Sequence, residues 1–154
     1  MAAELHEFLT RDHERLDKLL EEDYGEFRRG LLRHISIEER VLFPELRRRR
    51  GVTEIEKQLH RDHAALAALL VPPPTEVEIG QIRSILSIHN VIEEESGGLY
   101  EIIESLTGDE LTALMEKVHA IPEVPVMPNV DSPIVRSSIA RLLREAEEGR
   151  KKFR

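Results

Sequence analysis

The sequence predicts an all-α protein, an antiparallel four-helix bundle with a C-terminal helical extension. Three observations predict it. Apolar residues recur at helical spacing through long segments, and no stretch shows the sustained period-two alternation of a half-buried strand. Glycine and proline punctuate the chain into those segments. The first four segments are joined by short connections, which force neighbouring helices to run in opposite directions.

Taken in order, helices are expected near 3–22, 24–49, 53–70, 75–104, 109–120 and 133–151. The first two part around Tyr24-Gly25, and Gly51 ends the second. The run VPPPTE separates the third from the fourth, and Thr107-Gly108 closes the fourth. The segment IPEVPVMPNVDSP carries four prolines and cannot be helical throughout. Asp131 or Ser132 followed by Pro133 supplies a cap and first turn for the last helix. Residues 1–106 form the expected bundle, and 107–154 its extension: a short helix, a proline-rich linker and an amphipathic helix. The stripe Val135, Ile139, Leu142, Leu143, Ala146 suits that last helix to cover its own bundle or to dock on a second copy, so a monomer and a homodimer are both open.

At 154 residues the chain holds one substantial core. Its 22 basic and 30 acidic residues leave a net charge of −8, which disfavours nucleic acid and anionic membranes as partners. The basic runs at 47–50 and 149–154 fall at helix ends, where the helix dipole accounts for them. Cysteine is absent, which excludes disulfides, thiolate catalysis and iron–sulfur clusters in this chain. The charged start MAAELHEFLTRDHERL is neither a signal peptide nor a membrane span, and a cytoplasmic protein is the expectation.

An internal repeat fixes the residues of interest. RDHERLDKLL (11–20) and RDHAALAALL (61–70) share six of ten positions at an offset of 50. The first copy sets Leu9, His13, Leu16 and Leu20 on one helix face, and the second sets Leu59, His63, Leu66 and Leu70. At an offset of 55, the stripe Phe27, Leu31, His34, Glu38 returns as Ile82, Leu86, His89, Glu93. His-x-x-x-Glu alone carries no signal here, because four of the seven histidines have an acid four residues on. Each histidine alone reads as a core imidazole bonded to a backbone group, and each glutamate as a solvated stripe edge. The joint pattern is specific: four histidines and two glutamates recur at matching positions of four apolar stripes. Inward carboxylates cost several kcal/mol each unless a cation compensates them.

Imidazole and carboxylate without sulfur favour iron, zinc or manganese over calcium or magnesium. Six side chains would saturate one ion, so two ions are expected, each with two histidines and with Glu38 and Glu93 shared. The pattern resembles the hemerythrin-like, or HHE cation-binding, family of four-helix bundles, across roughly residues 5–104. RDHERL, RHISIEERVLFP, HRDHAAL and SIHNVIEEES carry the resemblance. It implies a non-haem di-iron centre with an oxo or hydroxo bridge, His13, His34, His63 and His89 as terminal ligands, and Glu38 and Glu93 as bridges. It also implies that dioxygen, nitric oxide or peroxide binds at an open iron position. Ferritin-like di-iron proteins need Glu-x-x-His on two helices, whereas this chain has it once, Glu116 to His119, outside the four-helix region.

Two departures from the family pattern bear on the site. Hemerythrins proper carry a further histidine four residues before the third-helix ligand, whereas His60 precedes His63 by three. His60 is therefore open to ligation, to bonding a bound oxygen species, or to facing outward. After Glu93, the glycines of ESGGLYEII predict a kink, bulge or break just past the ligands. Tyr24 and Tyr100 are expected to cap the core near helix ends. Four functions follow in order: reversible binding of dioxygen or nitric oxide for sensing, storage or delivery; an enzyme decomposing peroxide or reducing nitric oxide or dioxygen; an iron donor for iron–sulfur repair; and an interaction module without a redox metal. The apolar lining favours binding over turnover, because few groups there can protonate a bound peroxide.

Overall fold

The computed structural model describes residues 4–153, and among these every regular element is helical. The elements are α1 (Glu4–Glu22), α2 (Tyr24–Ile37), a π-helical turn (Glu38–Leu42), α3 (Phe43–Arg50), α4 (Glu54–Leu69), α5 (Glu76–Glu94), α6 (Leu99–Thr107), a 3₁₀ turn (Gly108–Glu110), α7 (Leu111–Ala120) and α8 (Pro133–Phe153).

Local chemistry sets these boundaries. Asp23 caps α2 by accepting the Glu26 N–H at 3.2 Å. Thr53 does the same for α4 with Glu56 at 3.3 Å, and Ser132 for α8 with Val135 at 3.2 Å. At the start of α5, the Glu78 carboxylate reaches back to accept from the Thr75 N–H at 3.0 Å and its hydroxyl at 2.8 Å, the glutamate half of a capping box.

Two segments expected as single helices are interrupted. The segment 24–49 widens at Glu38–Leu42, where the Phe43 N–H bonds to the Glu38 carbonyl five residues back. Pro44 explains it: its ring cannot sit over the carbonyl four residues earlier, and a wider turn relieves that clash. The segment 75–104 breaks after Glu94, where Gly97 takes φ 78° and the next helix starts at Leu99.

The described residues of Met1–Val52 and Asn90–Val126 form one compact unit; those of Thr53–His89 and Met127–Arg154 form another. In the first, α1 packs on α2, α6 and α7, and α3 packs on α6. Its buried residues include Leu5, Leu9, Leu16, Phe27, Leu31 and Leu42. Of the RRRR run, Arg49 leaves the helix end to bond the Leu106 carbonyl at 2.6 Å and to pair with Glu110. In the second unit, α8 packs along α4. The linker before α8 is tied down by Asn129, which donates to the Val71 and Pro72 carbonyls at 3.2 and 3.1 Å.

Candidate metal centre

In the first unit four side chains converge: His13 from α1, His34 from α2, Glu38 from the π-turn and Glu93 from the last turn of α5. All four are buried, and each offers one ligand atom within 4.8 Å of the others. His13 Nε2 lies 3.1 Å from His34 Nε2 and 3.0 Å from Glu93 Oε1, while His34 Nε2 lies 3.4 Å from Glu38 Oε2. The helical stripe explains the histidines, which take the place of a core leucine in the i, i+4, i+7 pattern. Glu38 opens the π-turn, a distortion found often at functional sites.

The far nitrogen of each ring is fixed. His13 Nδ1 donates to Glu94 Oε2 at 2.5 Å, and His34 Nδ1 donates to Asp12 Oδ2 at 2.7 Å. A carboxylate can only accept, so both Nδ1 atoms carry hydrogen and each Nε2 faces the cluster. Metal-binding histidines are oriented by just this kind of carboxylate partner.

Tyr100 stands at the centre of the cluster, not at the edge of the core as its place in the sequence suggested. It is fully buried, and its hydroxyl lies 2.7 Å from Glu38 Oε2, 2.9 Å from Glu93 Oε1 and 3.1 Å from His13 Nε2. Its single phenol proton faces two carboxylates. Burial opposes a charge on His34, but the Glu38 carboxylate and the bond to Asp12 outweigh it and push its pKa up to about 10. Burial likewise opposes a charge on His13, and its bonds to Glu93 and Glu94 raise its pKa nonetheless. Burial raises the Tyr100 phenol well above its ordinary range, and the charges of Glu38 and Glu93 add to the effect. Burial would also raise Asp12, yet His34 and Arg15 hold it below its ordinary value.

The second unit repeats the histidine pair and one of its outer carboxylates. His63 and His89 are buried with ring centroids 4.9 Å apart, against 4.7 Å for His13 and His34. His89 Nδ1 donates to Asp62 Oδ2 at 3.1 Å, as His34 does to Asp12. In both copies of the Arg-Asp-His repeat, the aspartate therefore holds the histidine of the following helix. His60 is exposed on α4. His119, also exposed, meets Phe8 edge-on at 4.8 Å.

Asp12, Asp62, Glu94 and Tyr100 were not among the candidates. The aspartates had a signal, since they are identical positions of the repeat. Glu94 and Tyr100 had none, because nothing in their spacing points across to another helix.

A donor set of imidazole and carboxylate, buried and held by outer carboxylates, fits one or more borderline metal ions. Against the effect of burial, Glu38 and Glu93 already raise the pKa values of His34 and His13, which marks the cluster as a place that favours positive charge, as a metal ion would bring. Among the described residues no helix is long and apolar enough to cross a membrane. No family model, curated protein or solved structure matches the chain.

Proposed function

We propose that the chain is a hemerythrin-like, non-haem di-iron protein with an antiparallel four-helix bundle, and that it binds dioxygen or nitric oxide for sensing, storage or delivery. The observation that carries this reading is the convergence of His13, His34, Glu38 and Glu93, with both imidazoles held by carboxylates. His13 and His34 would hold one iron. The sequence repeat, together with the matched His63 and His89 pair in its own unit, supports a second iron that those histidines would hold. Bound iron would supply open coordination positions and electrons for reversible uptake of a small diatomic ligand. The chain's own residues do the rest: the leucines around the histidine stripes exclude water, and the outer carboxylates keep each Nε2 facing inward.

A second reading, peroxide decomposition or reduction of nitric oxide or dioxygen, draws on Tyr100. Its hydroxyl is a proton-bearing group within 3.1 Å of His13 Nε2, in a lining otherwise poor in acids that turnover could use. His60, exposed, does not support that reading.

Anaerobic purification with iron quantitation, then optical spectra on admitting and removing oxygen, decides between them. About two irons per chain with a reversible near-ultraviolet charge-transfer band support binding. Irreversible oxidation, with gas evolved from added peroxide, supports the enzyme. Metal content unchanged by His34→Ala combined with Glu93→Ala would remove the site itself.

A further inference from the structure

We infer that Arg150, on the C-terminal helix α8, is the cation that completes the support of His89, so that docking of α8 on α4 positions a histidine of the second unit's metal site. The inference rests on the reading of His63 and His89 as ligands. It starts from a difference between the two repeats. In the first, Arg15 follows His13 by two residues and holds Asp12 Oδ1 through Nε at 2.9 Å and a terminal nitrogen at 2.8 Å. The other oxygen, Oδ2, takes His34. The first repeat thus carries its own arginine–aspartate–histidine chain.

In the second repeat the position of Arg15 is occupied by Ala65, which is fully buried and carries no charge. Asp62 still bonds His89 through Oδ2. Its Oδ1 is instead taken by Arg150, 2.5 Å away and 88 residues later in the sequence. The same chain of groups is rebuilt from a different element. The need for it is greater here, since the Asp62 side chain is 0 % exposed against 12 % for Asp12. A buried carboxylate without its cation is costly, and it relieves that cost by moving or by taking a proton.

The contact between α4 and α8 is shaped for this pairing. Gln58, fully buried, donates through Nε2 to Asp62 Oδ1 at 2.9 Å and to the Ala146 carbonyl at 3.1 Å, tying the carboxylate to α8 twice. Beside Arg150, Gly149 permits the approach: a Cβ there would lie 2.4 Å from Gln58 Oε1 and 2.9 Å from a terminal nitrogen of Arg61. The flexible end of Gln58 cannot yield cheaply, because its other amide atom is fixed at both partners. Glycine inside a helix costs about 1 kcal/mol relative to alanine, a cost that close contact with α4 offsets. The basic run at the end of the chain is thus more than a favourable helix terminus: one of its arginines is a positioning residue.

The test uses the full chain and ferrous iron under anaerobic conditions, in two backgrounds that each disable one unit's site. With His34→Ala, the iron that binds reports on His63 and His89; with His89→Ala, it reports on His13 and His34. Arg150→Ala is expected to weaken binding about 10- to 100-fold in the first background, the usual effect of losing an outer partner. It should leave the second unchanged, and Arg150→Lys should recover part of the loss. Arg15→Ala should show the opposite preference. In the metal-free protein, Arg150→Ala should move the His89 imidazole nitrogen resonances and leave those of His34 in place. Equal losses in both backgrounds, or His89 resonances that stay put, overturn the inference. If the unmutated chain takes up no iron, the metal reading fails, while the His89 resonances still decide the role of Arg150.

Discussion

Asp12 and His34, on adjacent helices, are joined by a 2.7 Å hydrogen bond from Nδ1 to Oδ2, while Arg15 holds the other aspartate oxygen. The bond sets both the tautomer and the rotation of the ring, leaving Nε2 aimed at Glu38 and His13. Asp12→Ala removes the acceptor without touching any of the four converging side chains. Iron affinity at the first-unit site should fall about 10- to 100-fold, read by competition against a chelator of known strength. Affinity within twofold of the parent chain would show that packing alone orients His34.

The hydroxyl of Tyr100 supports the cluster in a way that depends on whether metal is bound. In the metal-free chain it bonds Glu38 at 2.7 Å and Glu93 at 2.9 Å, both buried. Tyr100→Phe keeps the ring and removes those bonds, which should cost about 1–3 kcal/mol of stability. An ion held by the cluster would compensate the same carboxylates, so with iron added the cost should shrink. Urea unfolding of both proteins with and without iron measures the difference. An equal cost in both states would place the hydroxyl outside the metal's influence.

How much of this could be read from the sequence follows from what periodicity encodes. It reports which face of a helix is buried, and so it placed His13, His34, His63 and His89 on buried stripes, along with Glu38 and Glu93. It does not report what faces that stripe from a neighbouring helix. Hence Asp12 and Asp62 were visible only as repeated letters, and Arg150 only as part of a basic terminus. Helix breaks were legible where glycines cluster, as at Gly97 and Gly98. They were less so at Pro44, because a π-turn keeps the apolar pattern nearly in phase while absorbing the proline.

The two glycines after Glu93 have different duties, and substitution should separate them. Gly97 takes φ 78° with open space around it, so Gly97→Ala meets backbone strain alone, about 1–2 kcal/mol. Gly98 has an ordinary φ of −80°, but a Cβ there would lie 2.5 Å from the Ile92 carbonyl oxygen, 2.8 Å from that of Glu95 and 3.0 Å from that of Glu93. These are backbone atoms and cannot rotate away. Gly98→Ala should therefore displace the turn that joins Glu93 to Tyr100, costing about 1–3 kcal/mol and lowering iron content as well. Gly97→Ala should lower thermal stability and leave iron content as it was. Loss of iron from both variants alike would make the turn a general hinge, with no particular contact at Gly98.

Glu78 gives the metal-free chain a pH dependence separate from the cluster. Its carboxylate accepts from the Thr75 N–H and hydroxyl and from Arg136 at 3.3 Å, and it is nearly buried. Burial alone would raise its pKa, but the two Thr75 bonds and Arg136 hold it below the ordinary 4.5. A carboxylate with a depressed folded-state pKa contributes stability that is present above its unfolded value. That contribution begins to fade as pH falls below 4.5 and is gone once pH passes the folded value. Glu78→Gln should cost about 1 kcal/mol at neutral pH, by loss of the charged cap and the ion pair. The gap between parent and variant should narrow as pH falls below 4.5 and close once pH passes the folded value. The measurement is urea unfolding of the chelator-treated protein between pH 7 and 3. A gap between the two proteins that stays constant across that range would mean that Glu78 acts through shape, with its charge contributing nothing.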